Sequence, residues 1–147
     1  METDLTIAGY IFTKNKVLLI HHKKLNIWIP VGGHIEKNEN PDDALKREIK
    51  EETNLDIKIF CQSDLPKEGN VKRNLALPFY ANIHSAGDHD HFCYFYVCEA
   101  LNPEKLKIND ELINYRWFSI DELNEKIISV DVKNQAIKAF EMYKIEK

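Results

Sequence analysis

Between Gly33 and Leu55 the chain reads GHIEKNENPDDALKREIKEETNL, a polar loop running into a helix, and no other stretch restricts the fold as much. Asn40 is placed to cap that helix, Pro41 suits its first position, and Asp42 and Asp43 favour the positive end of its dipole. Leu45 and Ile49, with Ala44 beside them, form an apolar stripe that demands a core to pack on. Asn54 follows the last turn, where a residue that tolerates the left-handed conformation ends a helix. Glu48, Glu51 and Glu52 stand at i, i+3 and i+4, largely off the apolar stripe and together on one face. Like charges at that spacing repel. A divalent cation removes the cost, and hard ions such as Mg²⁺ take carboxylate oxygens while keeping several waters. Arg47 sits among the acids, within reach of Glu39 or Glu51. Upstream, Gly32 and Gly33 let backbone carbonyls or amides approach a ligand closely. A Glu-rich helical face alone is usually a solvated surface.

The segments around this helix read mostly as strands. Residues 4–12 form one strand, 13–16 a turn, 17–21 a second strand, and 27–30 a short strand entering the Gly pair. After the helix, strands are expected over 55–60, 75–83, 91–98 and 113–118, with Pro78 at a bulge or edge. Residues 62–74 make the longest irregular piece and carry Lys67, Lys72 and Arg73, a solvated loop or a phosphate contact. Alternation along 91–98 puts Phe92, Tyr94, Tyr96 and Cys98 on one face, and His91, Cys93, Phe95 and Val97 on the other. Either aromatic face suits a packed core, and either offers rings on which a base can stack. Trp28 reads as a core anchor. Ser119 with Glu122 forms a capping box for a short helix over 120–124. A last amphipathic helix over 132–145 has Val132, Ala136, Ala139, Phe140 and Tyr143 as its stripe. Strands, helix, strands and helix in this order imply an α/β sandwich. His84, His89 and His91 cluster with Asp88 and Asp90; the composition suits a transition metal, but without distant ligands a solvated turn is the default.

The stretch from Gly33 to Leu55 resembles the Nudix box. That pattern is Gly, five residues, Glu, seven residues, then Arg-Glu-apolar-any-Glu-Glu-any-Gly-apolar. It is met by Gly33, Glu39, Arg47, Glu48, Ile49, Glu51, Glu52 and Leu55, with Asn54 in place of the late Gly. The phrase Tyr115 to Leu123 also resembles the late strand-to-helix stretch of Nudix domains. The resemblance implies a Nudix-type α/β/α sandwich, a curved mixed β-sheet between helices, as a single domain over residues 1–147. It implies a hydrolase that breaks the pyrophosphate bond of a nucleoside diphosphate derivative by attack of water at phosphorus. It implies Mg²⁺, with Mn²⁺ as substitute, held by Glu48, Glu51 and Glu52, a carbonyl of Gly32 or Gly33, and a further acid at Glu111. Asp88, Asp90 and Glu99 compete for that last role. Glu48 or Glu52 takes the proton of the water, Glu48 ranking slightly ahead; Arg47 and Glu39 orient. Lys72 and Arg73 are candidates for phosphate, Tyr80 and Tyr94 for the base. Relatives of this kind act on oxidised nucleoside triphosphates, ADP-ribose, NADH, diadenosine polyphosphates or coenzyme A, and no motif here selects among them. The alternative is a catalytically silent nucleotide sensor of the same fold, which usually lacks some of the box acids retained here.

Charge and cysteine use narrow the partners. With 20 Lys and Arg against 24 Asp and Glu the net charge is −4, and no basic stripe marks a nucleic-acid surface. The three cysteines, Cys61, Cys93 and Cys98, are odd in number and lack a CxxC spacing, which suits a reducing, cytoplasmic setting. The start METDL lacks a basic region followed by a long apolar run, and no stretch approaches membrane-spanning length. A homodimer is expected by family analogy only.

Overall fold

The computed structural model describes residues 3–147; Met1 and Glu2, which open the METDL start, lie outside the described residues. Among the described residues eight strands form one mixed sheet: β1 (Thr3–Thr13), β2 (Lys16–His22), β3 (Trp28–Ile29), β4 (Val31–His34), β5 (Ile57–Ile59), β6 (Tyr80–Ser85), β7 (Asp90–Ala100) and β8 (Leu112–Phe118). Two helices cover it, α1 (Pro41–Thr53) and α2 (Val130–Glu146). Among the described residues no helix is long and apolar enough to cross a membrane.

The sheet is organised by a fork. β1 and β2 pair only from Ile11↔Leu18 to Thr13↔Lys16, where Lys14 and Asn15 take positive φ and make the turn. Beyond that they diverge. β3 joins β2 at Ile20↔Ile29, and β4 joins β1 from Gly9↔Val31 to Thr6↔His34. The chain changes partner between Ile29 and Val31, at Pro30, a residue with no N–H to contribute to either ladder. The fork thereby aims the Gly pair at α1. On its other edge β1 runs parallel to β7 from Thr3↔Asp90 to Phe12↔Glu99, and β7 pairs with β5 and β6.

Alternation divides the core into two layers. Ile7, Ile11, Val31, Tyr96 and Cys98 pack with Ala44, Leu45 and Ile49 of α1. Ala8, Tyr10, Phe12, Cys93, Phe95 and Val97 pack with Val132, Ala136, Ala139, Phe140 and Tyr143 of α2. The two faces expected for residues 91–98 are the observed ones, and Trp28 packs at the α2 layer, edge-on to Phe118.

Four boundaries differ from expectation. Residues 75–79 are not strand. The buried Asp42 carboxylate holds the N–H of Ala76, Leu77 N–H bonds to Cys61 C=O, and Pro78 has no N–H, so the ladder begins at Tyr80. The strand after α1 narrows to Ile57–Ile59 because Asn54 (φ 62°) and Cys61 (φ 64°) turn the chain at each side. The segment after Ser119 is a single 3-10 turn, Asp121–Asn124, although Ser119 and Glu122 do exchange the two capping-box hydrogen bonds. Finally, α2 starts at Val130, behind Ser129. The three cysteines are free, with Cys93 and Cys98 buried.

Candidate active site

The caps of α1 fix the direction of its acids. Asn40 accepts from the N–H of Asp43 at 2.9 Å, and Asn54 closes the helix in the left-handed conformation with its N–H on the Lys50 carbonyl. Ala44, Leu45 and Ile49 are fully buried, which pins the rotation of the helix about its axis. Glu48 then lies against β4. A Cβ at Gly33 would overlap the Glu48 carboxyl group, and one at Gly32 would overlap the Ile7 carbonyl oxygen. The two glycines therefore let a carboxylate and a neighbouring strand occupy space that side chains would fill.

Arg47 ties the loop to the helix. Its guanidinium donates to both oxygens of Glu39 (2.8 and 2.9 Å), to Glu48 (2.9 Å), to Glu51 (3.4 Å) and to the carbonyl oxygen of His34 (2.9 Å). Arg47 thus bonds to both of the acids within its expected reach, Glu39 and Glu51. The Arg47 hydrogen bonds, helped by the Glu36 N–H, hold the Glu39 carboxyl down at about 2. The same pairs raise Arg47 further above its ordinary value.

Glu52 has the opposite surroundings. It is 4 % exposed, and its Oε2 has no hydrogen-bond partner among the described residues. Burial pushes its carboxyl up to about 8, with Glu48, Glu111 and Glu51 adding repulsion. Glu48 is raised by burial against the counter-pull of Arg47. Glu52 is thus more buried than its place off the apolar stripe suggests, because residues 105–111 dock over the end of α1. Lys107 N–H bonds to Thr53 C=O, Asn109 N–H to Glu52 C=O, and the Asn109 side chain to Glu51 C=O, satisfying the last helical carbonyls. That docking brings Glu111 toward Glu48 and Glu52, with its own carbonyl accepting from Lys23 N–H.

The donor set fits a hard divalent cation. All the groups are oxygens, and an orphaned, buried carboxylate oxygen has either to keep its proton or to find a cation. Two of the three rival acids go elsewhere: Glu99 accepts from Tyr143 (2.7 Å) and pairs with Lys147, and Asp88 pairs with His89. The remaining candidates lie apart from the acids. Arg73 pairs with Asp43 in the first turn of α1 and lines a hollow with Asp42, Lys46 and Ile57; Lys72 is exposed. Tyr80 is 41 % exposed on the α2 side of the sheet, 5.4 Å ring to ring from Phe95. Tyr94 is packed on the α1 side, so one base cannot stack on both rings.

A NUDIX domain profile matches residues 3–140. The chain belongs to the NUDIX family. It is 38 % identical over 64 residues to an 8-oxo-dGTP diphosphatase of Buchnera aphidicola subsp. Schizaphis graminum, a match over 41 % of this chain and 49 % of that protein. The chain therefore spans about half the length of this curated relative. A NUDIX-family hydrolase from Clostridium perfringens superposes with a TM-score of 0.84 at 27 % identity, over 97 % of this chain and 99 % of the other. A C. elegans Ap4A hydrolase, at 18 % identity and a TM-score of 0.69 over 97 % of each chain, shares the fold.

Sequence reading missed two side chains that the fold brings to the histidine turn. The Nε2 of His34 and that of His89 lie 3.2 and 3.4 Å from the Oδ2 of Asp4. Alternation could have found them, since Asp4, His34 and His91 share one face of three adjacent strands.

Proposed function

We propose that this chain is a Mg²⁺-dependent nucleotide pyrophosphohydrolase that breaks a pyrophosphate P–O bond of a nucleoside diphosphate derivative by attack of water at phosphorus. The observation that carries this reading is the buried oxygen of Glu52, unpartnered among the described residues, in a carboxyl that Glu48, Glu111 and Glu51 repel. When bound there, Mg²⁺ or Mn²⁺ supplies charge stabilisation to the phosphate oxygens and lowers the pKa of a water. Glu48, Glu51, Glu52 and Glu111 would hold it, with a carbonyl of the Gly32–Gly33 pair. Glu48 accepts the proton of the attacking water, because Arg47 fixes one of its oxygens and leaves the other available. Arg47 and Glu39 position it, locking the loop to α1. Lys72 offers an exposed ammonium to phosphate, whereas Tyr80, on the α2 side of the sheet, faces away from these acids and takes no part in this reading. The diphosphatase relative makes a nucleoside triphosphate the first substrate to try, with ADP-ribose and a diadenosine polyphosphate beside it. Three free cysteines and the absence of a basic stripe support a cytoplasmic protein without a stable nucleic-acid partner.

The test is phosphate and pyrophosphate release from these nucleotides and from oxidised nucleoside triphosphates, with and without Mg²⁺, beside Glu52→Gln. Metal-dependent release by the wild type alone is expected. Silence across the panel, with thermal stabilisation by one nucleotide, would replace the enzyme with a nucleotide sensor.

A further inference from the structure

We propose that Asp4, His34, His89 and His91 form a second cation site, separate from the acids of α1, which binds a divalent transition ion of the Zn²⁺ type. One ligand atom from each of these four residues lies within 4.8 Å of the others, and among the described residues no other such group of His, Cys, Asp or Glu is found. The site is built by the sheet. Asp4 pairs with His91 across the parallel β1–β7 ladder, and Thr6 pairs with His34 across β1–β4. Asp4, His34 and His91 thus occupy one face of three adjacent strands, the face opposite α1. His89 folds in from the turn before β7.

The spacing is that of a small coordination shell. Four donors about 2.0–2.1 Å from a tetrahedral ion lie about 3.3 Å from one another. The edges in the structure are 3.2 Å from His34 Nε2 to Asp4 Oδ2, 3.4 Å from His89 Nε2 to Asp4 Oδ2, and 3.2 Å from His89 Nε2 to His91 Nε2. The facing Nε2 atoms of His89 and His91 share at most one proton, and replacing that proton with a metal ion would turn two lone pairs onto common space. His89 is also oriented as a ligand. Its Nδ1 is bonded to the Asp88 carboxylate at 2.7 Å, which directs Nε2 inward, the arrangement by which carboxylates fix metal-bound imidazoles. His84 backs the group, its ring 5.2 Å from that of His91 and its Nδ1 tied to Asn82. Three imidazoles and one carboxylate suit Zn²⁺, Co²⁺ or Ni²⁺, whereas the all-oxygen set on the α1 face suits Mg²⁺. An ion here would clip the start of β1 to the end of β4, next to the box Gly33.

The experiment is titration of the full-length, EDTA-stripped chain with Zn²⁺ by calorimetry, and with Co²⁺ by visible absorption, both in excess Mg²⁺. One equivalent is expected, with the intense visible band of tetrahedral Co²⁺ and a raised thermal midpoint in Zn²⁺. Binding is expected to persist in Glu52→Gln, to be lost in His34→Ala/His91→Ala, and to weaken about 10–100-fold in Asp88→Asn. His34 is exposed, so His34→Ala alone reads the site in a chain of unchanged circular dichroism should the double variant unfold. Absence of stoichiometric binding, an equivalent that survives loss of both histidines, or one that vanishes in Glu52→Gln would each overturn the site and leave a plain Asp–His hydrogen-bond cluster.

Discussion

Glu39 and Glu52 belong to one motif, and their surroundings drive them in opposite directions. Glu39 meets the fork of Arg47 with both oxygens and sits at about 2; Glu52 is buried without a partner and sits at about 8. The difference is one of counter-charge. Arg47 supplies it permanently to the loop and to Glu48, and nothing among the described residues supplies it to Glu52. A motif that neutralises one acid internally and leaves its neighbour buried and bare is arranged to take its missing charge from outside.

Removing the bare acid is expected to have the largest effect. Glu52→Gln keeps the shape and deletes the charge, so kcat should fall about 10²–10⁴-fold, the scale of a lost acid–base or charge-holding group. The variant should also be more stable than wild type without metal at pH 8, because a buried charge is gone. Retained activity in a nucleotide release assay would remove Glu52 from the site. Next in size is Arg47→Lys. An ammonium cannot grip Glu39 with two bonds while reaching Glu48 and the His34 carbonyl. A loss of about 10–100-fold is expected, mainly in kcat, with Mg²⁺ affinity weakened. An unchanged kcat would make Arg47 a structural clamp only.

The two acids also predict opposite slopes of stability with pH in the metal-free chain. Glu52 has a raised folded value, so its stabilisation is fully present below the unfolded value near 4.5 and is lost as pH rises through about 8. Glu39 has a depressed folded value, so its stabilisation is present above about 4.5 and is lost as pH falls through about 2. The stability of the EDTA-treated chain should therefore decline between pH 4.5 and 8, by up to about 1.4 kcal/mol per pH unit, and its thermal midpoint should fall with it. Mg²⁺ or Glu52→Gln should flatten that decline. A slope identical in wild type and Glu52→Gln would show that Glu52 ionises freely.

What could be read from the chain follows the range of the forces involved. The caps Asn40 and Asn54, the stripe Leu45–Ile49 and the alternation of 91–98 are local, and all three appear in the fold. The burial of Glu52 was not legible, because it depends on Asn109, 57 residues away, capping the helix end. The end of strand pairing at Tyr80 depends on Asp42 holding Ala76, a contact no period reveals. The histidine turn read as solvated because half of its partners, Asp4 and His34, arrive through strand register.

Arg73 separates a basic residue near the motif from one within it, and the smallest effect is expected there. In the sequence it belongs to the loop that suggested phosphate contact. In the fold it pairs with Asp43, five residues before Glu48, both side chains about half exposed at 49 % and 52 %. An exposed pair of this kind contributes little, since water screens it and two long side chains are ordered to make it. Arg73→Ala should shift the thermal midpoint by no more than about 2 °C. KM for the best nucleotide should change less than about twofold, as expected for a surface pair. A tenfold rise in KM with kcat intact would instead place the triphosphate along the first turn of α1, and would extend the site from Glu48 past Asp43 to residues 62–74.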